Sequence, residues 1–192
     1  MYKDKLFYKI IKPIIKLLIK IFYPSQALGL NNIPKTGRIL LAGNHKAWLD
    51  PVMLVGTVNR QVHFLAKEEL FHGLTKFIVK GMGCVPVNRK IHDHDALQGA
   101  IDYLNNDLCV GIFPEGTYNT TKVPVLPFKI GAVKACSETN TKLVPFVITG
   151  EYKIFRKNVK IEFLEPITVS NNLDKSNEEL MNIISNKLKG GK

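Results

Sequence analysis

Arg38-Ile39-Leu40-Leu41-Ala42-Gly43 runs directly into Asn44-His45-Lys46-Ala47-Trp48-Leu49-Asp50-Pro51. A short apolar β-rich run thus ends at a glycine and opens into polar and titratable side chains. The pattern recurs where Leu108–Phe113 leads into Pro114-Glu115-Gly116-Thr117. Val62–Ala66, Cys84–Val87, Leu143–Thr149 and Val159–Leu164 also read as strands. Helical periods fall between several of them. Glu68–Lys80 puts Leu70, Phe71, Leu74, Phe77 and Ile78 on one face and stops at Gly81. Asp95–Asn106 and Phe128–Thr139 are further helical stretches, and Ser176-Asn177-Glu178-Glu179 reads as a capping box opening the last helix. Alternation of this kind predicts an α/β fold, a largely parallel mixed sheet flanked by helices. Chemistry in such sheets gathers where strands end and loops begin.

The 192 residues suit one domain, with 45% hydrophobic and 22% charged residues excluding a disordered or collagen-like chain. Cys84, Cys109 and Cys136 form no CxxC pair, and an odd count argues against a disulfide framework. They read as buried free thiols in a reducing compartment. The net charge of +11 points to an anionic partner.

Nearly half of that charge lies in residues 1–23. On a helix, Lys5, Lys9, Lys12, Lys16 and Lys20 fall within an arc of about 80°. Leu6, Ile10, Ile14, Leu17, Leu18, Ile21 and Phe22 cover much of the rest. A lysine at the bilayer centre costs about 2.5–3.5 kcal/mol, so a spanning helix is disfavoured. No lysine-free apolar block of about seven or more residues precedes an A-x-A-like site, as a signal peptide would require. The segment reads as an amphipathic membrane-interface helix, or a helix pair if Pro13 splits it. An amphipathic helix packed on the domain with solvated lysines is the alternative. Residues 1–23 are therefore expected to anchor the domain spanning 24–192. Charge gathered on a broadly apolar helix favours an anionic membrane surface over nucleic acid.

His45 and Asp50 suit general-base chemistry: an imidazole can take a proton from a hydroxyl while a carboxylate orients it and favours its protonated form. Five residues apart on a regular helix they would diverge by about 140°, so the segment between them must turn. Asp50-Pro51 fits a helix start, with Asp as N-cap and Pro at N1. Asp50 serving only as a cap, with His45 merely filling a buried loop, is the structural alternative. No serine or cysteine motif suggests a covalent nucleophile. His92-Asp93-His94-Asp95 has no second ligand cluster and reads as a polar loop before a helix, not a metal site. His63 and His72 have no evident partner. Trp48 reads as a packing residue, with an interfacial role as the alternative.

Together these segments resemble the glycerolipid acyltransferase family, especially its bacterial lysophosphatidic acid acyltransferases. Asn44–Asp50 is similar to the family's N-H-x-x-x-x-D block and Phe113–Thr117 to its F-P-E-G-T block. Gly83–Arg89 matches the block in which arginine follows glycine by six residues, and Val144-Pro145-Phe146 the proline-containing strand. Ala66–Leu70 and Phe128–Ala132 also fit, so the resemblance covers roughly residues 30–150. It implies that His45 deprotonates the free hydroxyl of lysophosphatidic acid while Asp50 orients the ring. That oxygen then attacks an acyl-coenzyme A or acyl carrier protein thioester to give phosphatidic acid. Arg89 would hold the acceptor phosphate, with Lys67 as a second cation, and Glu115, Gly116 and Thr117 would shape the acceptor pocket. No metal or redox cofactor is implied, and the expected location is peripheral, on the cytoplasmic face of the cell membrane. Ala47 stands where many members have serine, and Tyr118-Asn119 where many continue with arginine and serine. Lys122, close by in sequence, is a candidate to take that arginine's place. Glycerol-3-phosphate or another lysophospholipid is the alternative acceptor, and a non-catalytic membrane-binding protein the alternative class.

Overall fold

The computed structural model describes residues 5–73, 75–87 and 93–190. Seven strands form one sheet in the order β1-β7-β6-β2-β5-β3-β4. They are β1 (Ser25–Leu28), β2 (Ile39–Gly43), β3 (Val62–Lys67), β4 (Val85–Val87), β5 (Cys109–Ile112), β6 (Leu143–Thr149) and β7 (Val159–Phe163). All pairings are parallel except β6 with β7. The helices are α1 (Lys5–Phe22), α2 (Asp50–Thr57), α3 (Thr75–Gly81), α4 (Asp93–Asn105), α5 (Gly131–Thr139) and α6 (Leu173–Gly190).

The two-residue period of the central strands divides the core. On β2, Ile39 and Leu41 join one apolar cluster with α1 and α2 through Tyr8, Ile19, Met53 and Leu54. Leu40 and Ala42 join the opposite cluster with α4, α5 and α6 through Leu104, Val133 and Leu180. On β6, Val144, Phe146 and Ile148 face the first layer and Leu143 and Val147 the second. Such two-sided burial explains why these strands read as continuous apolar runs. The three cysteines are free and buried, and burial pushes the Cys84 and Cys109 thiols up to about 12.

Several boundaries differ from expectation for identifiable reasons. Glu68–Lys80 is not one helix: a 3-10 turn over Glu68–Phe71 is followed by Gly73 at φ +60, and α3 starts only at Thr75. That left-handed backbone cannot continue a helix. The last helix opens at Leu173, where the Asn172 side chain accepts the Lys175 amide, rather than at Ser176. Ser176 instead lies buried in the first turn, its hydroxyl accepting the Ser170 amide. Pro13 sits inside a continuous α1 and does not split it. β1 and its parallel pairing with β7 complete one edge.

Gly43 closes β2 opposite Phe146. A Cβ there would lie 2.3 Å from the Phe146 ring and 2.5 Å from its carbonyl oxygen. Gly43→Ala should therefore cost about 1–3 kcal/mol through overpacking, lowering the melting temperature by roughly 2–4 °C per kcal/mol. An unchanged melting temperature would mean that Phe146 can move aside freely.

Candidate active site

β2 and β5 lie side by side, with Ala42 opposite Ile112. The segments that follow therefore leave the same edge of the sheet as neighbours. Residues 44–49 form a turn rather than helix, which brings His45 and Asp50 together. The His45 Nδ1–Asp50 Oδ2 distance is 2.8 Å, with the Asp50 carboxylate fully buried. The same oxygen accepts the Lys46 and Ala47 amides at 2.6 and 2.8 Å. Asp50 is the first residue of α2, and Leu49 takes the N-cap position expected of it. Its carboxylate reaches back into the loop. Ala47 thus supports Asp50 through its main chain, and the hydroxyl found there in many family members is not needed for this contact.

The fourth donor comes from beyond the motif. Tyr152 Oη donates to Asp50 Oδ1 at 2.5 Å. Burial, then the Asp50 charge and hydrogen bond, hold the Tyr152 phenol far above its ordinary range, so it stays a donor. The Tyr152 ring also meets Tyr23, just past α1, edge-on at 6.1 Å.

His45 is fixed at both main-chain ends as well. Its amide donates to Glu115 Oε1 at 2.8 Å, and its carbonyl accepts the Asn119 amide at 2.7 Å. Phe113 stacks on the ring at 4.0 Å between centroids, and Tyr118 meets it edge-on at 4.5 Å. With Nδ1 committed to Asp50, Nε2 is the nitrogen left to meet a substrate.

Glu115 binds main chain with both oxygens, Oε2 accepting the Leu126 amide at 2.7 Å. Burial raises its pKa, while those two amide bonds and then the His45 charge oppose the rise. It joins the His45 loop to the segment before α5. Gly116 adopts φ +69, and a Cβ there would lie 3.1 Å from the Lys129 side chain. Thr117 is exposed beside this turn. Asn119 shapes the following loop by accepting the Thr121 amide and hydroxyl and donating to the Val123 carbonyl. Lys122 lies exposed within it.

Asn44 makes a double bond pair with β6, donating to the Ile148 carbonyl at 3.0 Å and accepting its amide at 2.8 Å. The proline-containing strand is thereby tied to the His45 turn. Lys67 closes β3, its Cα opposite Val87 of β4. Arg89 and His92 lie outside the described residues. Among the described residues no histidine, cysteine and carboxylate cluster could hold a metal. His63, without a partner in sequence terms, lies buried against Tyr103 with Nδ1 2.8 Å from the Gly83 carbonyl. Gly83 has φ +71, and a Cβ there would meet that imidazole at 2.5 Å, so the glycine opening the Gly83–Arg89 block is a packing requirement. Trp48 corrects the packing expectation: it is 65% exposed.

The acyltransferase family pattern matches residues 26–149, which include every one of these site segments except Tyr152. The chain belongs to the acyltransferase family. It is similar to the 1-acyl-sn-glycerol-3-phosphate acyltransferase of Borreliella burgdorferi, 33% identical over 68% of this chain and 53% of the relative. The Bacillus subtilis protein of the same name is 29% identical over 83% of this chain and 82% of its own length. This acyltransferase also shares its fold with the crystal structure of the 1-acyl-sn-glycerophosphate (LPA) acyltransferase of Thermotoga maritima. That likeness has a TM-score of 0.80 at 21% identity, covering 99% of this chain and 83% of that one.

Because Tyr152 touches Asp50 rather than the site where substrate would sit, Tyr152→Phe is expected to act through His45. It should lower kcat of acyl transfer about ten-fold with KM nearly unchanged, since a buried acceptor left unsatisfied costs about 1–3 kcal/mol. A change in KM alone would exclude the positioning role.

Proposed function

We propose that this chain transfers an acyl group from an acyl-coenzyme A or acyl carrier protein thioester to the free hydroxyl of lysophosphatidic acid, forming phosphatidic acid. The observation that carries this reading is the buried Asp50–His45 pair, which leaves Nε2 as the imidazole's outward nitrogen. Names of the relatives above agree with that acceptor.

In this mechanism Nε2 of His45 takes the hydroxyl proton as the oxygen attacks the thioester carbonyl carbon. Asp50 stabilises the resulting imidazolium and keeps the ring in the Nδ1–H tautomer. Collapse of the tetrahedral intermediate breaks the carbon–sulfur bond. The imidazolium returns its proton to the departing thiolate, and the cycle closes with no net proton change. Arg89 and Lys67 are proposed to hold the acceptor phosphate, and the Glu115-Gly116-Thr117 turn to form a wall of its pocket. Tyr118 reaches the His45 ring where many relatives carry arginine, so this wall is aromatic where theirs is cationic.

The same proposal places the enzyme at a membrane surface, on its cytoplasmic face. On α1, Tyr8, Ile15 and Ile19 share an arc of about 40° and pack against the core. Ile10, Ile14, Leu17, Leu18, Ile21 and Phe22 occupy a separate arc of about 140° and stay exposed, Leu17 by 57%. Docking therefore uses one face of the helix and leaves a broader apolar face free. Phe22 meets exposed Phe155 at 5.6 Å, extending that face onto the loop that carries Tyr152. Trp48 fits the interfacial role of an amphipathic aromatic. Among the described residues no helix is long and apolar enough to cross a membrane, and an interfacial helix needs no such length.

Two measurements separate chemistry from anchoring. His45→Ala should reduce acyl transfer to lysophosphatidic acid by at least about 10²-fold while vesicle binding persists; retained turnover would refute the general-base assignment. Leu17→Glu with Ile21→Glu should release the protein from vesicles without lowering its melting temperature, and unchanged co-sedimentation would refute interfacial placement. Assaying lysophosphatidic acid beside glycerol-3-phosphate and lysophosphatidylcholine, with each donor, tests the acceptor.

A further inference from the structure

At the N-terminal ends of the central strands lies a cavity of about 540 Å³, between the N-terminal half of α1 and the loops leading into β2, β3 and β5. β2 alone spans about 16 Å at roughly 3.3 Å per residue, so this cavity is well separated from His45. Lys9, Lys12, Lys35 and Arg60 line it, with Asp107 as the acidic residue among its lining.

The charges are arranged unevenly. Asp107 is engaged from outside by Arg38, Nε to Oδ1 at 3.1 Å. The Arg60 guanidinium is held by main-chain carbonyls, those of Pro34 and Gly37 at 2.9 and 2.6 Å. Those bonds orient the group but leave its charge uncompensated. Lys12 is half-buried with its ammonium 5.5 Å from the Tyr8 ring centre. Burial, then neighbouring Lys16, hold it below the usual lysine range, a cost that an anion in the cavity would relieve. Among the described residues none of these four cations is held in an ion pair, so an anion entering the cavity meets positive charge not yet neutralised.

We propose that this cavity binds the phosphate of an anionic glycerophospholipid, as a lipid site distinct from the catalytic one. A phosphate group matches a fork-shaped guanidinium flanked by ammonium groups. The choice of lipid over free phosphate comes from α1. Lys9 and Lys12 line the cavity, and the exposed apolar arc begins at Leu17, about 80° round the helix from Lys9. A headgroup in the cavity therefore leaves acyl chains beside Ile10 and Leu17. α1 is about 27 Å long at 1.5 Å per residue and ends at Phe22, next to Tyr23, whose ring meets Tyr152. Headgroup capture at one end would fix how the active site at the other meets the surface. The inference rests on the interfacial placement of α1 proposed above.

The test is calorimetric titration of the full chain with short-chain phosphatidylglycerol below its micelle concentration. This phosphodiester is not the proposed reaction product, and the assay needs neither turnover nor vesicle binding, so failure of those readings does not affect it. Lys12→Gln with Lys35→Gln should weaken binding at least about ten-fold. Lys16→Gln with Lys20→Gln removes the same charge from the same region outside the cavity and should change it less than about three-fold. Lys12→Arg with Lys35→Arg should restore it, which separates lost charge from lost folding. Short-chain phosphatidylcholine should bind far more weakly, as should inorganic phosphate. Equal losses in the two glutamine pairs would overturn the site, as would no binding by the wild-type chain or failure of the arginine pair to rescue. Equal affinity for phosphatidylcholine would remove the anion requirement, and equal affinity for inorganic phosphate would overturn the lipid assignment.

Discussion

A carboxylate removed from water must replace its hydration with donors or lose its charge. Asp50 is fully buried and receives four donors: the His45 ring and two loop amides on one oxygen, and the Tyr152 hydroxyl on the other. Those donors come from the turn after β2 and the loop after β6. Satisfying one anion therefore brings together segments about a hundred residues apart. It also settles which imidazole nitrogen faces inward, because only Nδ1 is within reach. The direction in which the ring presents Nε2 follows from the solvation of its neighbour.

Glu115 performs the complementary task. It holds the His45 amide and the Leu126 amide, so the ring is oriented by one buried acid while its backbone is placed by another. Phe113 and Tyr118 then limit where the ring can tilt. General-base catalysis requires a proton acceptor held within hydrogen-bond reach of the hydroxyl. In the proposed mechanism these contacts supply that positioning before substrate arrives. The same fold runs α1 from a basic cavity to the Tyr152 loop, where Tyr23 meets the Tyr152 ring.

The sequence was most legible where a pattern repeats locally. β6 has the expected limits because its residues are buried on both faces, and the His45–Asp50 turn follows from a five-residue spacing incompatible with one helical face. β1 was missed because Ser25-Gln26-Ala27-Leu28 lacks β-branched residues and alternation; its pairing with β7 makes it a strand. The periodic face of Glu68–Lys80 concealed the left-handed backbone at Gly73. Tyr152 left no signal at all, since its partner is 102 residues away and no local period records such a contact. Glu115 reads from the sequence as a pocket wall; its hold on the His45 amide becomes visible only when β2 and β5 are paired. Trp48, apolar and next to buried Leu49, read as packing and proved exposed.

Nitrogen-15 histidine spectra of the free enzyme, recorded where the imidazole is neutral, address this central constraint most directly. The account predicts that His45 carries its proton on Nδ1, with a strongly deshielded proton signal that disappears in Asp50→Asn while other histidine signals stay in place. A neutral His45 protonated on Nε2, or a signal indifferent to Asp50→Asn, would contradict it.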